Sequence, residues 1–405
     1  QGKSKMRIGM LTDVYKPYVS GITNYIELNK KWLEQKGHEV FVFTFGGENY
    51  TDGEERNIIR SPGLPLLDTG YYLGFRYSSE ATRLLRMMDI VHVHHPFLSG
   101  SLSLRYCRPR GIPIVFTNHT RYDLYARAYL PVLGELVGEP ALEAYLPVFC
   151  RAVDVVISPS DGMRKVLLRL GVNVEIQVVP NGVDLTAFRQ PIQAAHRVDL
   201  GFDEQNIVLI YVGRLGPEKN LPFLIRCFAG VIQAFPQTRL LLVGDGPEKK
   251  TLQELVSQLG ISPYVCFTGM VPYERVCQYL KMADVFVTAS VTEVHPLSVI
   301  EAMAAGLPVL GIHSPGISDT VCDGVSGFLV GEEDMVAYAA KMARMISDKE
   351  ERRRMGEAAQ KEAERFSIDQ TGARMLEIYR EAIEKKAEKQ RSFSVRVRRL
   401  LDRIG

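Results

Sequence analysis

The chain carries a series of short apolar runs that do not alternate with polar residues and that end abruptly in polar or glycine-containing turns. In the first half they are "RIGMLTD", "EVFVFTF", "DIVHVHHP", "PIVFTNHT", "DVVISPS" and "IQVVPNGVD". A strand with one wet face alternates, whereas a strand with neither face wet does not. These runs therefore predict strands of a parallel sheet covered by helices on both sides. A helical pattern, "GITNYIELNKKWLEQKGH", lies between the first two and is closed by Gly37. After a loop-like segment, "LTAFRQPIQAAHRVDLGFDEQN", the pattern restarts with "IVLIYVGRL", "RLLLVGDGP", "VCFTGMV", "DVFVTAS" and "LPVLGIH". At 405 residues the chain exceeds what one ordinary core holds. The reading is an α/β chain of two doubly wound domains, 6–185 and 186–368, followed by C-terminal helices over 369–405.

Sheets of this kind bind ligands beyond the carboxyl ends of their strands. Asp13, His94, His119 and Ser158 all stand at such ends and are predicted to share one rim. In the second half, "VGRLGPEKN" delivers Arg214 to a strand end and Lys219 just beyond a Gly-Pro turn. A planar guanidinium fork beside a mobile ammonium suits a diphosphate, although a solvated basic loop reads the same way. "VGDGPEKKTL" places Gly244 between strand and helix, where a backbone can approach a ligand closely or simply turn. Gly21 opens the first helix, where amides face an anion or merely begin the helix. His92 and His94 share a strand face, but no HExxH or carboxylate cluster supplies further ligands, so they read as structural or pocket-lining. His119, just past a buried strand, stands where rim residues meet ligands, or is a polar core residue. "EVHPLSVIE" sets Glu293 before a turn and Glu301 inside the helix that follows. The pair fits an acid/base couple, a metal site, two hooks on one ligand, or ordinary surface charge.

Bulk properties narrow the class. A formal net charge of +2 favours no particular partner, nucleic acid included. Cys107, Cys150, Cys227, Cys266, Cys277 and Cys322 show no CxxC spacing and are expected to be reduced, mostly buried thiols. No apolar run approaches the ~18 residues of a spanning helix, and no leader is read before "MRIGMLTDVY". A cytoplasmic location follows as the expectation. Charge is uneven, however. Residues 385–405 hold eight basic side chains against two acidic ones, a local +6 that leaves the remainder at −4.

"VGRLGPEKN", "VGDGPEKKTL", "FTGMVPYERV" and "EVHPLSVIEAMAAGLPV", with the Pro-x-x-Ser-Gly loop and "VPNGVD", occur in an order and spacing that resembles the retaining glycosyltransferases of family GT4. The likeness runs from residue 6 to about 385. It implies the GT-B fold, with two Rossmann-like domains facing across a cleft and final helices crossing back to the first domain. It implies hexosyl transfer from a nucleotide sugar. Arg214 and Lys219 would bind the donor diphosphate, joined by the amides of Leu297 and Ser298 and approached by Gly21. The turn at Met270 and Val271 would hold the base, Glu301 the ribose, and Glu293 the sugar hydroxyls. His119 would lie beside the transferred sugar and the acceptor. One departure stands out: many members carry Gly-Phe-Gly between the glutamates, where this chain has Val294, His295 and Pro296, and Pro296 removes one backbone donor. The implied chemistry retains configuration through an oxocarbenium-like centre. It uses the leaving diphosphate as base and needs no enzymic nucleophile, metal or cofactor, since the donor is itself a substrate.

The segment "HVHHPFLSGSLSLRYCRPRGIPIVFTNHTRYDLY" resembles that of diacylglycerol glucosyltransferases and related lipid mannosyltransferases. In "FSVRVRRLLDRIG", Phe393, Val397, Leu400, Leu401 and Ile404 form a helical stripe flanked by Arg396, Arg399 and Arg403. A basic amphipathic helix suits an anionic membrane surface, and a last helix packed on the first domain suits the same residues. "YLPVLGELVGEPALEAYLPVF" is a lesser candidate for lipid contact, with core packing the plainer reading. The expected reaction moves glucose from UDP-glucose to a lipid such as diacylglycerol, peripherally on the inner face of the cell membrane. The alternatives are GDP-mannose as donor, a sugar phosphate or inositol as acceptor, and, remotely, a non-catalytic nucleotide-sugar-binding protein. A dinucleotide oxidoreductase is disfavoured by the missing GxGxxG with a downstream acid.

Overall fold

The six apolar runs of the first half become strands of a seven-stranded parallel sheet: β1 (Arg7–Leu11), β2 (Glu39–Gly46), β4 (Ile90–Val93), β5 (Ile114–Thr117), β6 (Val155–Ser158) and β7 (Ile176–Val178), with an edge strand, β3 (Ile58–Pro62), that the sequence reading did not include. The coordinates are a computed structural model. It describes residues 5–18, 20–46, 52, 53, 55–65, 72–122, 124, 139–190 and 193–401, with backbone only at 139–143 and 393–401. The strand order is β3-β2-β1-β4-β5-β6-β7. The five runs of the second half form β8 (Ile207–Val212), β9 (Thr238–Val243), β10 (Val265–Gly269), β11 (Val285–Val287) and β12 (Val309–Ile312), joined at the edge by β13 (Gly327–Val330), which the sequence reading did not include, in the order β10-β9-β8-β11-β12-β13. Both sheets thus grow outward from a first central strand and reverse direction beside it, as doubly wound sheets do.

The unbroken apolar runs reflect burial on both faces. Along β8, Leu209 and Tyr211 enter one core with Leu240, Leu242 and Phe228, whereas Val208 and Ile210 enter the opposite core with Leu241, Val243 and Ile300. Each strand residue therefore buries apolar surface worth about 25 cal/mol per Å², whichever way it points.

Contacts divide the chain into two units, one of Gln1–Pro159, Met163–Gly182 and Ile368–Gly405, the other of Ser160–Gly162 and Val183–Ser367. The long last helix, Ile368–Leu401, belongs to the N-terminal unit. Its Met375, Ile378 and Tyr379 join Trp32, Val40 and Ile90 in one core. Trp32 Nε1 donates to Asp369 at 2.8 Å, and a side chain at Gly372 would stand 2.8 Å from the Trp32 ring, so helix and indole meet with no room between. The side chains of the basic stripe at 393–404 and most of the segment 129–149 lie outside the described residues. Among the described residues no helix is long and apolar enough to cross a membrane.

Two expectations need correction. Only Cys107, Cys150 and Cys227 are buried. Cys266 and Cys277 are half-buried and Cys322 is exposed, the last in a turn where no apolar run requires it. The segment after residue 184, read as a loop, contains a helical turn at Thr186–Arg189 and a 3-10 turn at Arg197–Leu200. Both are too short to show a 3.6-residue period.

Candidate active site

In the C-terminal unit, three turns at the carboxyl ends of β8, β9 and β10 come together. Gly213 has φ +158°, and a Cβ there would meet the Tyr211 hydroxyl at 2.7 Å. That hydroxyl donates to the Arg214 carbonyl at 3.0 Å, fixing the turn from which the Arg214 side chain leaves. Gly244 has φ +134°, and its Cβ would lie 2.0 Å from the Gly213 carbonyl oxygen, so packing of one turn on the next already demands glycine. Its amide donates to the Gly269 carbonyl at 3.1 Å. The turn Pro217–Lys219 is closed by Asn220 in the left-handed region. Ser290 and Thr292 each donate to the Glu218 carbonyl at 3.3 Å, tying this turn to the loop that carries Glu293.

The outcome is a direct contact: Lys219 Nζ lies 2.6 Å from Glu293 Oε1. Burial alone would push the Lys219 ammonium toward losing its proton. Glu293, aided by Tyr211 and Glu218, reverses this and holds its pKa above the usual lysine value. Arg214, about half exposed, approaches Glu218 at 3.4 Å. The site is therefore a fixed cation held by a carboxylate, with a second, freer cation beside it.

Past Glu293 the chain turns into the helix Leu297–Ala304. Its N-cap is Pro296, which makes no side-chain cap, so the first amides, Leu297 and Ser298 among them, carry none of the usual side-chain satisfaction. One turn on, Glu301 is buried, and its carboxyl pKa is pushed up to about 7 by burial, against the opposing hydrogen bond from Tyr273. Tyr273 OH donates to Glu301 Oε1 at 2.6 Å. Met270, exposed, and Val271, half-buried, follow the end of β10 and are joined to this tyrosine by Pro272. The proposed base turn and ribose carboxylate are thus neighbours through a residue that sequence reading quoted but gave no role.

The Val-His-Pro departure is absorbed inward. Val294 and His295 are both buried, and the His295 ring meets Phe366 edge-on at 5.0 Å. Burial, then Arg365, lowers its pKa to about 3. Ser160 donates to the Val294 carbonyl at 2.7 Å, and the Gly316 amide donates to the Glu293 carbonyl at 2.8 Å. A side chain at Gly316 would strike Val294 at 2.4 Å. The backbone leading to the helix is held from two sides, with the larger side chains filling the core beneath it.

In the N-terminal unit, the rim forms as strand order requires. His92 pairs in register with Met10 and Val115, and Asp13, His94, His119 and Ser158 follow or end adjacent strands. His92, wholly buried, joins Tyr379 OH and Thr117 Oγ1, each at 2.7 Å, which settles it as structural. His94 and His119 meet at 3.0 Å. Asp13 accepts from the Ser99 amide at 2.7 Å and so caps the helix Leu98–Tyr106. Gly21 begins the helix Gly21–Gln35 behind a Ser20–Thr23 capping box, with open space where a Cβ would stand. One turn further, the Tyr25 ring lies 4.7 Å from that of His119, so the helix that Gly21 opens touches His119 through Tyr25. Among the described residues no three His, Cys, Asp or Glu side chains gather as a metal site would require.

Residues 19–187 match the family described as Glycosyltransferase Family 4, and residues 192–362 match that described as Glycosyl transferases group 1. The chain is 32% identical to an alpha-monoglucosyldiacylglycerol synthase of Streptococcus pneumoniae, over 93% of this chain and 86% of the relative. It is 31% identical to a D-inositol 3-phosphate glycosyltransferase of Nocardia farcinica, over 90% and 85%. Among solved structures, Anabaena Alr3699/HepE in complex with UDP-glucose superposes with a TM-score of 0.74 at 20% identity, over 92% of this chain and 99% of that one. With its paired parallel-sheet domains and both family matches in sequence order, the chain belongs to glycosyltransferase family 4 and has the GT-B fold.

Proposed function

We propose that the protein transfers glucose from UDP-glucose to the free hydroxyl of a diacylglycerol-like lipid, with retention of configuration and without a metal, at an anionic membrane surface. The observation that carries the chemistry is the Lys219–Glu293 contact beside Arg214. In this reading Lys219 and Arg214 bind the diphosphate. Their charges grow in value as the glycosidic bond breaks, because charge then accumulates on the leaving oxygens. The amides of Leu297 and Ser298 add backbone donors to the same phosphates. One fixed cation and one freer one supply what a divalent ion supplies in other transferases. Glu293 exchanges part of its contact with Lys219 for hydroxyls of the sugar. Glu301 takes the ribose, and the turn at Met270 and Val271 takes the base. Gly244 stays a structural neighbour of these groups. From the N-terminal unit, Gly21 serves the diphosphate and His119 the acceptor side. The departing diphosphate oxygen accepts the acceptor's proton, so no side chain is needed as base.

Three observations support a lipid acceptor. The pneumococcal relative's name specifies a glucosylated diacylglycerol. The last residues are strongly basic. The rim histidines of the N-terminal unit are held neutral by burial, and in the segments that follow them in sequence Phe97 packs on Tyr122 and Tyr145, with ring centroids 5.2 and 5.7 Å away. A neutral, aromatic setting suits an uncharged hydroxyl. The Anabaena complex supports UDP-glucose as donor. A second reading, transfer to an inositol phosphate, is favoured by the Nocardia relative. Transfer of labelled glucose from UDP-glucose to diacylglycerol in anionic mixed micelles, run beside inositol 3-phosphate, decides between them. Product with the lipid alone supports the proposal, and product with inositol phosphate alone overturns it. Co-sedimentation with anionic vesicles, with and without residues 391–405, tests the surface.

A further inference from the structure

His94 and His119 hold one another, and their contact constrains where each keeps its proton. His94 Nδ1 and His119 Nε2 lie 3.0 Å apart, with ring centroids 5.3 Å apart. Burial, helped by the neighbouring histidines, keeps both well below the usual imidazole value, so each ring is neutral. A neutral imidazole has one N–H and one lone pair, and the contact therefore admits two arrangements. In the first, His119 donates from Nε2 and His94 carries its proton on its own Nε2. That atom is buried and has no hydrogen-bond partner among the described residues. An N–H would be stranded there, which folded proteins avoid. In the second, His94 donates from Nδ1 and its Nε2 holds only a lone pair. No donor is stranded, and an under-used acceptor is the commoner compromise.

The second arrangement leaves His119 with its proton on Nδ1. His119 is half-buried, and its ring makes no other hydrogen bond among the described residues. The Tyr25 ring, at 4.7 Å, and the His94 ring hold it in place. We infer that His94 is a positioning residue that fixes the tautomer of His119, so that His119 presents an N–H, not a lone pair, to an oxygen of its substrate. The inference rests on the reading of His119 as an acceptor-side residue, and it makes that residue a hydrogen-bond donor, not a base.

The test begins with the full chain, labelled with 15N-histidine and free of substrate. The His119 ring signals are assigned by their loss in His119→Gln. Protonation at Nδ1 is expected; protonation at Nε2 overturns the inference, and this spectrum decides even if a His94 variant fails to fold. His94→Asn keeps an N–H donor near the Nδ1 position, whereas His94→Leu removes it. The leucine variant is expected to shift His119 toward the other tautomer. It should also lose about tenfold in kcat for UDP-glucose and diacylglycerol, with KM for the donor within about twofold, as loss of one neutral hydrogen bond implies. The asparagine variant should recover both. An unchanged tautomer in His94→Leu, or an asparagine variant as impaired as the leucine one, overturns the inference. Should no acceptor be glucosylated at all, the spectra still decide the tautomer, so the proposed reaction and this inference fail separately.

Discussion

Replacing Lys219 with alanine separates what its contact does for the fold from what it does for the reaction. In the free protein Lys219 and Glu293 are 2.6 Å apart, with 22% and 19% of their side chains exposed. Charge-assisted hydrogen bonds contribute about 1.5–3 kcal/mol. Water reaches this pair in part, so a loss nearer ~1 kcal/mol is expected when Glu293 is left to hydrate. Turnover is expected to fall much further. A preorganised donor aimed at developing charge contributes on the order of 10²–10³ in kcat, or about 2.7–4 kcal/mol. Because Lys219 already has an anionic partner before the donor arrives, donor binding exchanges one partner for another, and KM should move little. Initial rates of glucosyl transfer at varied UDP-glucose, with thermal unfolding of the same preparations, measure both quantities. A folded Lys219→Ala protein whose kcat stays within about threefold of the parent refutes the reasoning, since one charge-assisted contact exceeds that by itself.

Four further outcomes follow from the same coordinates. Burial raises Glu301 from the ordinary 4.5 to about 7, so the folded state binds that proton more tightly than the unfolded chain. Its contribution is complete below about pH 4.5 and is lost as pH rises through about 7, on the order of 3 kcal/mol in all; urea unfolding of Glu301→Gln between pH 5 and 8 should lack this fall. His295 has the opposite sign: burial lowers it to about 3, so its contribution is present above pH 6.5 and is lost as pH falls toward 3. His295→Leu should therefore flatten the acid limb of a stability profile. Gly244→Ala should cost about 3 kcal/mol or more, given φ +134° and a Cβ only 2.0 Å from the Gly213 carbonyl oxygen. Gly21→Ala, with open space around its Cβ, should melt no lower than the parent, and calorimetry compares the two.

The sheets were legible because their strands are buried on both faces, and a run such as "IVLIYV" has no other comfortable home. The polar residues at strand ends were legible for the same reason: where the apolar run stops, the rim begins. Pair contacts were not. Tyr273 reaches Glu301 across 28 residues, and His94 reaches His119 across 25. Nothing in either local pattern distinguishes a tyrosine that holds a carboxylate from one that packs. Glycines were ambiguous for a different cause. Gly244 read equally as a close approach to a ligand or a tight turn, and the Gly213 carbonyl, 2.0 Å from where its Cβ would stand, demands glycine under either reading. The Val-His-Pro departure could be seen but not interpreted, because the His295 ring packs on Phe366, far along the chain.

The helix from Ile368 places Met375, Ile378 and Tyr379 in the core begun by Ile8 and Trp32. A nascent chain emerging from the ribosome thus makes the β1 to β7 residues first and waits through the whole C-terminal unit for the pieces that close over Trp32 and His92. Domains usually fold in the order they are synthesised. Here the later one can finish first, while the earlier one stays open on the side that Tyr379 covers. A stop codon before Tyr379 would therefore damage the beginning of the protein more than its end, leaving His92 without its tyrosine partner and an apolar face open to chaperones and proteases.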